Sequence, residues 1–321
     1  MGYNGCENIQ EVKTMPRVAR IKDPMAVYHV MSRSISEFDL FPDNLDKEHF
    51  LDIMQKLKEK YHCKIYGYCL MSTHYHVIVD TCGYDISKFM KSLNQSYVKY
   101  INKKYNRRGH LLAERFNSKI IDTDKYMLTV SSYIHNNPKD VAEYSGREFE
   151  YPYSSMGIYL GKQKDKRNLV DTHYILRYIN ENDRSKAIKA YTEMVMGQCD
   201  TGDSKKLREY LEQFQKEQFE YKSYREVKLR DTKPEEVIKI IAEKFGIENV
   251  SEIMHRWKRR TMQFRRVAAY ALNAFCGMGI KEISRYMYNI SASCCARLSD
   301  EGFEIMRHNN EIKNLLMGLS K

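Results

Sequence analysis

Between Cys63 and Asp80 the chain carries two apolar runs of strand length, CKIYGYCLM and HYHVIVD, with only Ser72 and Thr73 between them. So short a link allows only an antiparallel return, because a parallel one needs a crossover of about a dozen residues or more. A hairpin is marginal alone and must find further strands, or helices that cover its apolar side. The flanking sequence supplies both. AVYHVMSRS, from Ala26, reads as another strand, and Asn117 to Ile121 as a fourth. LDKEHFLDIMQKLKEKY repeats Phe50, Leu51, Met54, Leu57 and Tyr61 at the three- and four-residue spacing of a helix. Ile86 to Tyr105 does the same with Phe89, Met90, Leu93, Tyr97, Tyr100 and Ile101 on one stripe. A third helix runs from Asp124 to Asn136 and is ended by Pro138, which disfavours a helical residue before it.

The order β-α-β-β-α-β-α predicts an α+β chain built on the ferredoxin-like split βαβ plan, a four-stranded antiparallel sheet with its helices on one face. Residues 1–14 are polar and unpatterned, and Met15-Pro16-Arg17 looks like a second beginning, so a disordered leader is expected before a first domain at 15–162. KQKDKRN, after Gly161, is a solvated charge run of the kind that joins domains, and 163–230 is expected to be a helical connector. Residues 231–321 read as an all-α domain that opens with Pro234 in a first helical turn. Its helices are expected at about 234–245, 250–257, 262–276, 280–287 and 291–307.

A chain of 321 residues, 42% hydrophobic and 30% charged, can bury two cores. No run approaches the roughly 18–20 apolar residues of a membrane span, and MGYNGCENIQEVKT lacks the charged-then-apolar order of a secretory signal. A soluble, cytoplasmic protein with no membrane partner is the expectation. The eight cysteines include no Cys-x-x-Cys pair, which argues against a zinc ribbon or a disulfide framework; adjacent Cys294 and Cys295 suit helix packing. The net charge of +11 is spread along the chain rather than gathered in one run, which suits an extended polyanion touching several segments.

Alternation puts His74 and His76 on one face of their strand and Tyr75 on the other. Imidazoles at that spacing are roughly 6–7 Å apart along the strand and can converge on one divalent cation. By itself the pair also fits two exposed or hydrogen-bonded histidines on an amphipathic strand. In DKYMLTVSSYIHNNP, Tyr133 and Asn137 share a helix face one turn apart. Tyrosine is a nucleophile once its phenolate is accessible, and an amide oxygen is a hard ligand for Mg2+ or Mn2+. In a chain with 25 tyrosines, such a pair at a helix end also reads as packing plus a C-terminal cap.

Five strings then fall in a familiar order: MPRVARIKDPMAVYHVMSRS, YGYCLMSTHYHVIVD, RRGHLLAERFNSKII, YIHNNP and YPYSSMGIYLG. Together they resemble the single-tyrosine HUH transposases, most closely the REP-associated tyrosine transposases, over about residues 15–162. HUH denotes two histidines around a hydrophobic residue, which His74-Tyr75-His76 fits. The asparagine or proline common before the first histidine is replaced by Ser72-Thr73, a change in the turn rather than in the ligands. The resemblance makes His74, His76 and Asn137 ligands of a divalent cation, Mg2+ or Mn2+, and Tyr133 the nucleophile. It implies a metal-dependent strand transferase that cleaves and rejoins single-stranded DNA at palindromic hairpins. The intermediate it implies is a 5′-phosphotyrosine, which keeps the energy of the broken bond. Phosphoryl transfer asks mainly for positioning and charge neutralisation, so few residues suffice.

Single-stranded DNA also asks for cations at its phosphates and aromatic faces for its bases. Lys91, Lys99, Lys103, Lys104, Arg107 and Arg108 interleave with Tyr97, Tyr100 and Tyr105, and His110 and Arg115 follow. Arg107, Arg108 and Arg115 are the candidate phosphate contacts, whereas Tyr97 and Tyr100 suit the core. His110 and His135 are placed near the site without a ligand role, and His29, His49 and His62 are read as structural or exposed.

In the second domain, RRVAAYALNAFCGMGIKEISRYMYNISASCCARLSDEGFEIM has helix-turn-helix spacing, with a turn at Asn289 and Ser291 as the cap of the following helix. It resembles the helix-turn-helix of the bacterial replication initiator's DNA-binding domain, without the usual glycine in the turn. That resemblance implies duplex DNA, with Ser291, Ser293 and Arg297 toward bases or phosphate. Arg259, Arg260, Arg265 and Arg266, beside Arg256 and Lys258, would hold the backbone. A small helical bundle that binds protein is the other reading of this domain. For the whole chain, a non-catalytic DNA-binding or regulatory descendant and a metal-dependent nuclease using water stay open. One nucleophilic tyrosine is compatible with a monomer or a homodimer.

Overall fold

The computed structural model describes residues 26–35, 37–121, 123–197, 233–248, 259–287 and 290–318. The leader at 1–14, the helix expected at 250–257, Arg256, Lys258 and the turn at Asn289 lie outside the described residues.

The four expected strands form: β1 (Val27–Arg33), β2 (Lys64–Leu70), β3 (His74–Asp80) and β4 (Asn117–Ile121). They pair antiparallel in the order β2-β3-β1-β4, which seats β3 and β1 in the middle of the sheet. The register sets Met31 of β1 and Cys69 of β2 on either side of His76. Helices α1 (Asn44–Tyr61) and α2 (Ile86–Lys104) are fixed at their starts by Asp43 and Asp85, whose carboxylates accept from backbone N–H groups of the first turn. Both cover the face to which Tyr75 points. The Tyr75 ring lies 4.7 Å from Phe50 of α1, and its hydroxyl donates to Asn94 Oδ1 of α2 at 2.7 Å.

The expectation that all the helices share one face is corrected by α3 (Asp124–Asn136), which packs on the opposite side. Its His135 lies against Gly67 of β2, and its Tyr133 stands edge-on to His76. The cause is visible in β3, where Tyr75, Val77 and Val79 are buried on one face while His76 and Ile78 are buried on the other. A strand apolar on both sides needs two covering layers.

The connector expected at 163–230 begins inside the first core instead. After the short α4 (Met156–Tyr159), helices α5 (His173–Ile179) and α6 (Arg184–Val195) bring Ile175, Leu176, Ala187, Tyr191 and Val195 into the same apolar cluster as the sheet. Those five sit on the inward side while Tyr174 and Tyr178 of α5 stay exposed, and Tyr191 reaches α3 through hydrogen bonds to Ser131 and His135. Residues 198–230 of the expected connector lie outside the described residues.

A second core is formed by α7 (Pro234–Lys244), α8 (Arg259–Ala274), α9 (Ile280–Tyr286) and α10 (Ala292–His308), joined by α11 (Asn310–Met317), which the sequence pattern did not anticipate. At the crossing of α8 and α10, a Cβ on Gly302 would lie 2.0 Å from the Arg266 carbonyl oxygen, so only glycine allows the helices so close. The two cores meet at the turn after β3. There Tyr84 lies 5.3 Å from Phe303, and Lys88 pairs with Asp300 at 2.5 Å. Among the described residues no helix is long and apolar enough to cross a membrane.

Candidate active site

The turn Ser72-Thr73 is pinned before β3 begins. Backbone N–H groups of Phe41 and Ser34 donate to the carbonyls of Ser72 and Thr73, and Met71 N–H donates to the His74 carbonyl at 2.8 Å. His74 and His76 therefore leave a braced strand on the same side, with ring centroids 5.2 Å apart and planes at 87°. Helix α3, capped by Thr123, lays its last turn over them. The Tyr133 ring is 5.5 Å from His76, and Asn137 hydrogen-bonds His74 while its Nδ2 donates to the Tyr133 carbonyl at 2.9 Å. Two side chains from the sheet, one from α3 and one from the residue that caps its end thus lie together.

Burial sets the electrostatics. His76 is 1% exposed, and desolvation holds its pKa well below the ordinary histidine value, with His29 and His74 adding to the effect. His74 is lowered by burial as well, against an opposing pull from the Asn137 hydrogen bond. Both rings are neutral at neutral pH and keep a lone pair. Burial, with Asp140 nearby, raises the Tyr133 phenol, so it holds its proton at rest. Among the described residues no group of three or more His, Cys, Asp or Glu side chains forms a metal cluster. The donor set here is two neutral imidazoles and a carboxamide, a combination that suits a divalent cation accepting nitrogen and oxygen.

One neighbour goes beyond the sequence reading. His29 of β1, read as structural or exposed, is buried, and its Nε2 lies 2.9 Å from His76 Nδ1, with ring centroids 5.1 Å apart. Burial first, then Lys119, pushes its pKa down to about 3. His135 takes no part in the pocket: its Nε2 meets Ser155 Oγ at 2.7 Å and its Nδ1 the Tyr191 hydroxyl at 2.6 Å. It fastens α3 to the surrounding structure.

The candidate DNA contacts are scattered and unequal. Arg108 and Arg115 are exposed, whereas the Arg107 guanidinium lies over the Phe38 ring at 4.1 Å and reaches Asn102. Lys104 is engaged by Asp43 and Asp46, and Tyr97 is buried with its hydroxyl on the Leu40 carbonyl, as a core residue. In the second unit the exposed start of α10 presents Ser291, Ser293 and Arg297, the last 71% exposed. Ser291 also caps that helix through Cys294 N–H. Two expected backbone contacts are already committed within the protein: Arg265 is only 5% exposed, and Arg266 pairs with Glu301 at 2.6 Å. They lie on the side of α8 that packs in the bundle, which a run of paired arginines does not reveal. Arg259 and Arg260 open α8, and their side chains lie outside the described residues.

A family model described as “Transposase IS200 like” matches residues 24–137. A solved structure described as “Structure of the REP associates tyrosine transposase bound to a REP hairpin” is similar over 46% of this chain and 87% of that one, at 15% identity and a TM-score of 0.39. No curated protein matches the sequence. The family match spans β1 to the end of α3 and so takes in His74, His76, Tyr133 and Asn137. The likeness to IS200-like transposases is thus confined to residues 24–137, about a third of the chain, and that stretch holds the whole candidate site.

Proposed function

We propose that this protein is a metal-dependent DNA strand transferase that cleaves and rejoins single-stranded DNA through a 5′-phosphotyrosine link. The observation that carries the reading is the convergence of Tyr133 and Asn137 on His74 and His76 in one pocket. His74, His76 and the Asn137 carboxamide would hold a divalent cation, Mg2+ or Mn2+, which when bound supplies charge neutralisation at a non-bridging oxygen of the scissile phosphate.

Tyr133 Oη attacks phosphorus and the bond to the 3′-oxygen breaks; in the balance of the step the proton lost by the phenol is gained by the departing oxygen, which leaves as a 3′-hydroxyl. Burial keeps the Tyr133 phenol protonated at rest. In the reverse direction a 3′-hydroxyl attacks the phosphotyrosine, and the phenol is released with its proton restored. Arg108 and Arg115, with Arg107 beside them, serve as contacts for the phosphates of the bound strand. A palindromic hairpin as the substrate rests on the resemblance of the five sequence strings. In the second unit, Ser291, Ser293 and Arg297 serve to contact duplex DNA.

The test is an incubation of the full chain with hairpin DNA and Mn2+, followed by denaturing electrophoresis. The expected result is a protein–DNA adduct that survives denaturation in the wild type. Tyr133→Phe abolishes the adduct and still binds the DNA. Continued cleavage by Tyr133→Phe would establish a water-using nuclease instead, and binding without cleavage or adduct in the wild type would establish a non-catalytic DNA-binding protein.

A further inference from the structure

A neutral imidazole that ligates through Nε2 must carry its proton on Nδ1, and a buried N–H needs an acceptor. In most metal sites that acceptor is a carboxylate, a backbone carbonyl or water. Here the group at His76 Nδ1 is the Nε2 of a second buried histidine, His29, at 2.9 Å. The two residues are 4% and 1% exposed, lie on neighbouring strands of the sheet, and meet nitrogen to nitrogen with ring planes 24° apart. Two neutral histidines in this contact have two proton arrangements. In one, His29 donates and His76 is left with its proton on Nε2, unable to ligate. In the other, His76 donates from Nδ1 and its Nε2 lone pair is free.

We propose that His29 is a positioning residue for the metal site, accepting the His76 Nδ1–H and so holding His76 in the tautomer that can ligate. The proposal rests on the reading of His74 and His76 as ligands. His29 itself touches neither cation nor DNA, and it acts through His76. It braces a ligand strand from its neighbour, which keeps the metal geometry tied to the pairing of β1 with β3. Because the acceptor is neutral, it orients His76 without adding a negative charge to a pocket that must receive a phosphate.

The test uses the full-length protein, Mn2+ as the probe, and no DNA. In metal-free wild type, 15N chemical shifts of the His76 ring are expected to report the proton on Nδ1; a proton on Nε2 would overturn the proposal without the need of any variant. By titration calorimetry, His29→Phe, which keeps an aromatic ring and removes the acceptor, is expected to weaken Mn2+ binding roughly 10–100-fold. His29→Gln, whose amide oxygen replaces the accepting nitrogen, is expected to recover most of that loss. Equal affinity in wild type and His29→Phe would overturn the proposal and leave the metal reading standing, as would a His29→Gln protein no better than His29→Phe. A wild type that binds no Mn2+ would overturn the metal reading itself, and the proposal with it.

Discussion

The Tyr270 hydroxyl of α8 donates to the Gly83 carbonyl at 2.9 Å, a buried hydrogen bond across the junction of the two cores. Gly83 sits at φ 98°, and a Cβ there would come within 2.9 Å of both the Tyr270 hydroxyl and Met306. Gly83→Val is therefore expected to open the junction, because the backbone conformation and the space both exclude a branched side chain. Hydrogen exchange read by mass spectrometry should show faster exchange in 83–88 and in α10, with the centre of the sheet unchanged. Unaltered exchange at the junction would show that the cores do not depend on it.

A sharper packing limit applies at Gly302. Gly302→Ala places a methyl 2.0 Å from the Arg266 carbonyl, so α8 and α10 must part. The expected loss is about 3 kcal/mol of stability in urea unfolding. Gly318→Ala, where a Cβ would meet nothing within 4 Å, is the matched control and should stay within about 0.5 kcal/mol of wild type.

Tyr191 ties α6 to the helix that carries Tyr133. Removing its hydroxyl in Tyr191→Phe leaves His135 Nδ1 and Ser131 Oγ buried without that partner, at a cost of about 1–3 kcal/mol. Thermal unfolding measures the loss. If the cleavage reading holds, adduct formation by the folded fraction should slow as well, since the α3 turn that presents Tyr133 is less firmly seated.

Acid should weaken the first core in a defined window. Burial pushes His29 and His135 down to about 3, so the folded protein keeps them neutral while the unfolded chain protonates them near the ordinary value of 6.5. Their contribution is complete above pH 6.5 and declines as the pH falls toward 3, at about 1.4 kcal/mol per pH unit for each ring. Urea midpoints for the metal-free protein at pH 7 and pH 5 should differ by on the order of 4 kcal/mol in unfolding free energy. A flat profile across that interval would contradict the burial of the two rings.

The neighbours within the candidate site were more legible in the sequence than their surroundings. Alternation in HYHVIVD places His74 with His76, and a four-residue helical step places Tyr133 with Asn137, since both rules concern residues close along the chain. His29 escapes such rules because it is 47 positions from His76, and only the strand order brings β1 beside β3. The face chosen by α3 was likewise hidden, although the uninterrupted apolar run of β3 was its signal. Helices α5 and α6 were read as connector because short helices with few apolar residues look solvated until their partners are known. Arg265 and Arg266 looked like DNA contacts because charge type is written in the sequence, whereas the side of the helix on which a bundle closes is not.

The seven positions of β3 carry two interleaved messages, because neighbouring residues look in opposite directions. Tyr75, Val77 and Val79 pack toward α1 and α2; His74 and His76 look toward the candidate site, with Ile78 in the core on that same side. Evolution toward a sturdier fold and evolution toward another reaction can thus edit alternate letters of a single word, each leaving the other legible. A slip of one residue in the pairing would exchange the two messages and erase both at once.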